Sequence, residues 1–235
     1  MIISMFLAHL VGDYVLQWDN LAKWKGENVT GVMVHGLVIT IVTFLFILPF
    51  NPIWWQGALF ISVCHILIDL AQLPLKQKTN TGVIPLARFT ADQLLHTAVI
   101  LFALYMGGFF KIGSFWAQVS SEMQSSPAMV YLLGYTLLAM PAWVILEFTG
   151  YGLIQGTPPD FSRATNKYLS SLERWLITTS VVTGQFLLIP VIAAPRFMIE
   201  RQAIIENRET TIYLAKLLAS IGIAIAIGLA LKAIV

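Results

Sequence analysis

The chain has 235 residues, of which 57% are hydrophobic and only 11% are charged, and its mean hydropathy is +0.78. A soluble domain carries about 25% charged residues, so this composition excludes an ordinary cytosolic enzyme, a disordered protein and a collagen-like fibre. The single cysteine excludes a disulfide scaffold, and a net charge of +2 lacks the dense basic face of a nucleic-acid binder.

An integral membrane protein remains, and a spanning helix needs about 20 mainly apolar residues. The chain begins with a shorter apolar segment, residues 1–17, which lacks the basic start and the cleavage site of a signal peptide. We predict a short or partly inserted helix there, buried against the others. Longer apolar segments, each predicted to span the membrane, follow at residues 30–50, 53–73, 89–110, 128–154, 172–194 and 211–235.

The predicted connections are short. Asn51 and Pro52 indicate a tight turn, and residues 73–88, 111–127 and 155–168 read as loops, the second at the membrane interface. Residues 196–209 mix three arginines and three glutamates with apolar residues, which predicts an amphipathic surface helix or an extension of the last span.

These segments predict an all-α, polytopic bundle of six or seven transmembrane helices. Residues 1–113 form a membrane domain that carries the unusual polar residues, and residues 128–235 form the other half of the same bundle. If all seven segments cross, seven lysines and arginines lie on one side and four on the other, which favours a cytoplasmic C-terminus. If the first segment does not cross, the N-terminus lies on the cytoplasmic side instead.

Histidine and aspartate recur at a spacing of four residues inside three of the apolar segments. The pairs are His9 with Asp13, His65 with Asp69, and Asp92 with His96. Four residues make about one helical turn, so each pair lies on one face. Four histidines and five aspartates would give only ~0.2 such pairs at random composition. The fourth histidine, His35, lies in the remaining apolar segment of the first half.

Such side chains are rare in membrane helices, because a charge at the bilayer centre costs roughly 2.5–3.5 kcal/mol. Four helices that each turn one polar face inward would bring these faces together. Imidazole and carboxylate are the usual ligands of zinc and other first-row divalent ions, so we predict a divalent metal site, with zinc as the first choice. The predicted metal residues are His9, Asp13, His35, His65, Asp69 and His96.

Within this set, His9, His65 and His96 are the leading ligands, completed by Asp69 or Asp13, and His35 is the next candidate. Asp92 and Asp13 are the candidate catalytic carboxylates; Asp92 would orient His96 or act as a general base. One metal with outer carboxylates and a pair of metals both remain open. A proton pathway and purely structural His–Asp pairing are the alternatives to a metal site.

The motifs themselves resemble a known family. HLVGDYVLQ at residues 9–17, HILID at 65–69 and DQLLH at 92–96, together with His35, resemble the signature of a bacterial polytopic membrane family known only as a domain of unknown function. The resemblance covers roughly the first 110 residues and recurs around residues 172–174 and 196–220. The family places a second histidine about one turn after the position of His35, where this chain has Ile39 and Thr40, so the resemblance implies one ligand fewer.

The leading functional hypothesis is a metal-dependent hydrolase that acts on a lipid or lipid-linked substrate in the bacterial inner membrane. Membrane-bound metal-dependent hydrolases are loosely similar, since they too place histidine and aspartate on short apolar helices. The alternative is a divalent-cation or proton-coupled transporter that uses the same residues, and the sequence contains no internal repeat of the kind transporters often carry. A third hypothesis is a non-catalytic membrane subunit with a structural polar core. No nucleic-acid partner is expected, and a homo-oligomer is a further expectation.

Overall fold

The computed structural model describes residues 1–76, 83–151, 167–207 and 210–234, and within these ranges the regular elements are all helical. The predicted all-α class is confirmed. Among the described residues, five helices are long and apolar enough to cross a membrane, so the chain is a membrane protein. These helices are Val29–Ile47, Pro52–Pro74, Ile84–Met106, Pro127–Thr149 and Ile212–Ile234.

Eleven α-helices are numbered here in chain order over the described residues. They are α1 Ile2–Leu10, α2 Asp19–Glu27, α3 Val29–Ile47, α4 Trp55–Lys76, α5 Ile84–Met106, α6 Phe115–Ser125, α7 Pro127–Leu138, α8 Met140–Thr149, α9 Lys167–Val182, α10 Leu188–Asn207 and α11 Thr210–Ile234. The chain divides into two compact units: Met1–Asn80 with Ala87–Thr136, and Thr81–Leu86 with Leu137–Val235. The predicted boundary between residues 113 and 128 stays a prediction.

The first unit is built around a short buried helix. In α1, Ile2, Met5 and Ala8 are almost fully enclosed and pack with apolar residues of α3, α4 and α5. This is the short, buried N-terminal helix predicted from the sequence. The outer face of α3 is different, because a stripe of apolar side chains at four-residue spacing is exposed. Its members are Met33, Leu37, Ile41 and Leu45. A stripe of this kind suits contact with lipid.

The prediction of a loop over residues 111–127 is wrong, because most of it forms α6. Phe115 and Val119, four residues apart on one face of α6, pack against the core of the first unit. One turn further on, Glu122 Oε2 accepts a hydrogen bond of 3.0 Å from the backbone N–H of Ile2. A carboxylate at the first turn of α1 satisfies a free donor and opposes the helix dipole. Tertiary contacts thus stabilise a helix that its serine-rich sequence does not suggest.

One of the five apolar spans is broken in the middle, near the start of the Leu137–Val235 part of the second unit. The segment Pro127–Thr149 changes direction at Ala139, which has φ −68° and ψ −116°, and Pro141 follows in the first turn of α8. The guanidinium of Arg174, in α9, donates to the carbonyl oxygens of Leu138 at 2.6 Å and of Ala139 at 2.8 Å. Arg174 therefore binds the backbone acceptors at the break.

α9 buries several polar side chains and exposes several apolar ones. Ser171, Arg174 and Thr178 are buried, whereas Leu172 and Trp175 are exposed. Thr178 Oγ1 donates to the carbonyl oxygen of Ala224 in α11, at 2.8 Å. The predicted span over residues 172–194 is not one continuous helix: α9 ends at Val182 and a turn with Gly184 at φ +77° precedes α10. Glycine adopts this left-handed conformation without a steric cost.

The described part of the predicted helix over residues 196–209 is helical and forms the end of α10, which continues to Asn207. In α11, Lys216 pairs with a carboxylate of α8, since its Nζ lies 2.5 Å from Glu147 Oε1. The turn residues at 79–82 and 156–159 on which two of the predicted loops depend lie outside the described residues.

Candidate metal centre

The polar residues that the sequence singles out meet in one buried cluster in the first unit. His9 lies on α1, Asp13 on a turn of π-helix that continues α1 as Val11–Val15, His35 on α3, His65 and Asp69 on α4, and Asp92 and His96 on α5. We call these seven residues the His/Asp cluster. Apart from the slightly more open Asp92, none of them is more than 7% exposed. The convergence of four helices through their polar faces is therefore observed.

Two histidines of the cluster each lie close to the other and to two carboxylates, at distances typical of ligands around a single ion. His35 Nε2 and His65 Nε2 are 3.2 Å apart, and Asp13 Oδ1 lies 3.0 Å from the first and 3.3 Å from the second. Asp69 Oδ2 lies 3.7 Å and 3.4 Å from the same two nitrogens. Tetrahedral zinc with bonds of about 2.0–2.1 Å keeps its ligands about 3.3 Å apart. We call these four residues the inner site.

His96 lies beside the inner site. Its ring stacks on the ring of His65 with centroids 4.0 Å apart, and its Nε2 lies 3.2 Å from Asp92 Oδ1 and 4.0 Å from Asp69 Oδ1. Within the described part of the chain, no group makes a well-oriented hydrogen bond with this buried nitrogen. A buried acceptor or donor without a partner is costly, so the atom is suited to a ligand that enters the cluster.

Two glutamine side chains support the outer part of the cluster. Gln93 Oε1 lies 3.3 Å from His9 Nε2, and Gln93 Nε2 donates to Asp92 Oδ2 at 3.1 Å. Gln72 Nε2 donates to the other carboxylate oxygen of Asp92. Both carboxylate oxygens of Asp92 thus accept hydrogen bonds from amides, and Oδ1 lies 3.2 Å from His96 Nε2.

Each of the six predicted metal residues has close potential co-ligands. Three groups each bring their ligand atoms within 4.8 Å of one another: His9 with Asp13 and His65; His35 with His65 and Asp69; and Asp69 with Asp92 and His96. The shortest set of distances includes His35, which the sequence ranked behind His9 and His96. Which of the four histidines lie closest to the carboxylates depends on how the helices pack, and no local pattern in the sequence encodes that packing.

A lysine that the sequence analysis did not place in the site also reaches the cluster. Lys25 Nζ lies 2.9 Å from Asp69 Oδ2, and the lysine side chain is only 9% exposed. Burial by itself would lower the pKa of Lys25, but the negative charges of Asp13 and Asp69 outweigh it and raise the pKa above its ordinary value. The ammonium group therefore stays charged inside the cluster.

The position of Lys25 is fixed by close packing between α2 and α3. Asn28 is extended between the two helices, and a Cβ at Gly31 would overlap backbone atoms of Trp24 and Lys25. Only glycine permits this approach. The sequence offers only a weak signal, the spacing of four residues between Leu21 and Lys25, and the structure shows that both are buried. A polar helix of nine residues does not stand out beside the long apolar segments.

A small cavity of about 10 Å³ adjoins the cluster. His9, His65 and His96 line this cavity together with Thr43, and Met5 and Ile100 are among its apolar lining residues. A volume of this size holds about one water molecule. The three imidazoles provide the hydrogen-bonding partners that a buried water requires.

The family model described as a protein of unknown function (DUF3307) matches residues 1–125, so the chain belongs to this family. The matched range contains the complete His/Asp cluster and Lys25. The resemblance to an uncharacterised family is thereby confirmed. No curated protein and no solved structure matches the chain.

Proposed function

We propose that this protein is a membrane-embedded, metal-dependent hydrolase that acts on a lipid or lipid-linked substrate. The observation that carries the proposal is the spacing of the inner site, where five separations among two imidazole nitrogens and two carboxylate oxygens fall between 3.0 and 3.7 Å. Zinc is the metal we expect, because it accepts mixed nitrogen and oxygen ligands in tetrahedral geometry. The ligands would be His35, His65, Asp13 and Asp69.

The rest of the cluster supplies groups for proton transfer. A zinc ion in such a site would lower the pKa of an adjacent water to near 7. The cavity beside His9, His65 and His96 accommodates one water. His96 lines that cavity and would accept a proton from the water, while Asp92, oriented by two amides, lies next to His96 and would orient its ring or take the proton onward.

The surroundings of the site favour a substrate that arrives through the lipid. The helices that carry the cluster expose apolar faces, as on α3 at Leu37 and Ile41, and the cluster itself is enclosed. A substrate with an acyl or prenyl chain would be dissolved in the same bilayer as these helices and could reach them from the lipid. A bacterial inner membrane remains part of the proposal, and the lysine and arginine distribution favours a C-terminus in the cytoplasm.

A transporter is the alternative, and the break between α7 and α8 is the feature that favours it. Broken spanning helices in transporters often present free carbonyl oxygens to an ion. Here the carbonyl oxygens of Leu138 and Ala139 accept hydrogen bonds from Arg174, which leaves them poorly placed to bind a transported ion. We therefore rank the transporter below the hydrolase.

Elemental analysis of the detergent-purified protein tests the metal site. We expect about one zinc per chain in the wild type and in the control Glu27→Gln, which alters an exposed carboxylate. The variants His35→Ala and His65→Ala should lose the zinc, because each removes an inner ligand. His9→Ala should retain most of it, since His9 lies beside the inner site.

Hydrolysis is then tested on lipid esters and lipid phosphates in mixed micelles. We expect turnover by the zinc-loaded protein, none after chelation, and a loss of turnover in Asp92→Asn with the zinc retained. A wild type that holds no metal, with His35→Ala and His65→Ala equally stable, would contradict the proposal. Zinc binding without turnover, together with zinc flux into liposomes, would favour the transporter instead.

A further inference from the structure

Lys25 and a metal ion would require the same carboxylate oxygen. Asp69 Oδ2 lies 2.9 Å from Lys25 Nζ, and the same atom lies 3.4 Å from His65 Nε2 and 3.7 Å from His35 Nε2. An ion bound to Oδ2 at about 2.0–2.2 Å would lie within about 5 Å of the ammonium group. Two cations so close in a buried site repel each other strongly.

The charges in the cluster also limit how many ions it can hold. Asp13, Asp69 and Asp92 contribute three negative charges and Lys25 contributes one positive charge. With neutral imidazoles, as metal ligands must be, one divalent ion makes the buried cluster neutral. A second divalent ion would leave two uncompensated positive charges, and buried net charge is costly.

We propose that Lys25 is a built-in competitor of the metal, which weakens metal binding at Asp69 and restricts the cluster to one divalent ion. The inference deepens the proposed function and rests on it. When the ion is absent, the ammonium group compensates Asp69 and keeps the carboxylate in place. When the ion binds, the ammonium group gives up part of that contact, so the metal is held less tightly than in a site closed by ligands alone.

The packing of α2 against α3 fixes the backbone of Lys25 near Asp69. Lys25 cannot simply withdraw with its helix, because the α2 backbone at Trp24 and Lys25 lies directly against Gly31. Lys23, two residues earlier on the same helix, is exposed. A change at Lys23 therefore removes the same charge from α2 without altering the cluster, and it provides the matched control.

The experiment measures zinc affinity and stoichiometry by competition with a chromophoric chelator. The full chain is stripped of metal in detergent, and Zn²⁺ alone is the probe. We expect one zinc per wild-type chain and an affinity at least about tenfold higher in Lys25→Met and Lys25→Gln. Lys25→Arg, which keeps the charge, and Lys23→Met should stay within about threefold of the wild type.

Thermal unfolding of each zinc-loaded variant identifies any variant that does not fold. If Lys25→Met does not fold, the affinity is compared in Lys25→Gln, whose amide is able to donate a hydrogen bond to Asp69. Equal or weaker binding by the neutral variants, while the wild type binds zinc, would overturn the role of Lys25 and leave the proposed metal site intact. Two zinc ions per wild-type chain would likewise overturn it. No zinc binding by the wild type or by any Lys25 variant would overturn the proposed function itself.

Discussion

Replacement of Asp69 by asparagine is expected to abolish zinc binding and to lower the free energy of unfolding of the metal-free protein by about 3–5 kcal/mol. Asp69 approaches both inner histidines and pairs with Lys25 at 2.9 Å. Asparagine fills the same volume but leaves the Lys25 ammonium group buried without its nearest counter-charge. Elemental analysis measures the zinc, and denaturant or thermal unfolding in detergent measures the stability.

A double variant separates the buried charge from other effects of the change. In Lys25→Met with Asp69→Asn, both charges are absent, and we expect most of the lost stability to return. Zinc binding should stay absent in that double variant, because the ligand is still missing. Glu27→Gln, at an exposed carboxylate of α2, should change neither property. If Asp69→Asn is as stable as the wild type and keeps its zinc, Asp69 is neither a ligand nor the partner that Lys25 requires.

The second large effect is expected at Arg174. Its side chain is only 1% exposed, and it donates to the carbonyl oxygens of Leu138 and Ala139 and to the hydroxyls of Ser171 and Ser220. Arg174→Ala leaves two buried backbone acceptors without donors, each at a cost of about 1–3 kcal/mol, and creates a cavity. We expect a loss of about 3–5 kcal/mol in thermal or denaturant unfolding.

Two milder variants test whether the guanidinium acts through the broken helix. Arg174→Lys keeps the charge but cannot place donors on both carbonyl oxygens, because an ammonium group lacks the planar fork. Its stability should fall between those of the wild type and Arg174→Ala. Ser220→Ala removes one hydroxyl acceptor and leaves both carbonyl contacts, so a loss of about 1 kcal/mol is expected. Equal losses in Ser220→Ala and Arg174→Ala would show that the carbonyl contacts contribute little.

Helical spacing made part of the candidate site predictable. His65 and Asp69 are four residues apart, so any helix places them on one face, and they are found 3.4 Å apart. The separation of 3.2 Å between His35 Nε2 and His65 Nε2 could not be predicted in this way. It depends on how α3 packs on α4, and the sequence contains no periodic pattern that specifies it. Lys25 was missed for a related reason, because it reaches Asp69 only after α2 folds back onto α3.

Some features of the fold could likewise be predicted from the sequence, whereas others depend on contacts between distant parts of the chain. The long apolar segments identified a helical membrane protein, because the bilayer sets a minimum length for a spanning helix. α6 escaped prediction, since it is stabilised by contacts with the core of the first unit and by a hydrogen bond to Ile2, 120 residues earlier in the chain. The span expected over residues 172–194 is interrupted at Gly184, and the polar face of α9 is turned inward toward carbonyl oxygens 35 and 36 residues earlier in the chain.

The sequence by itself determined the membrane class, the positions of most helices and the set of histidines and aspartates that could bind a metal or transfer a proton. These properties follow from hydrophobicity and from the helical repeat, both of which act over neighbouring residues. Only the tertiary structure decided that His35 and His65 share the inner site with Asp13 and Asp69, that Lys25 is paired within it, and that Arg174 binds a broken helix. Those contacts arise from packing between helices, where a change of an ångström in one interface determines which side chains become partners.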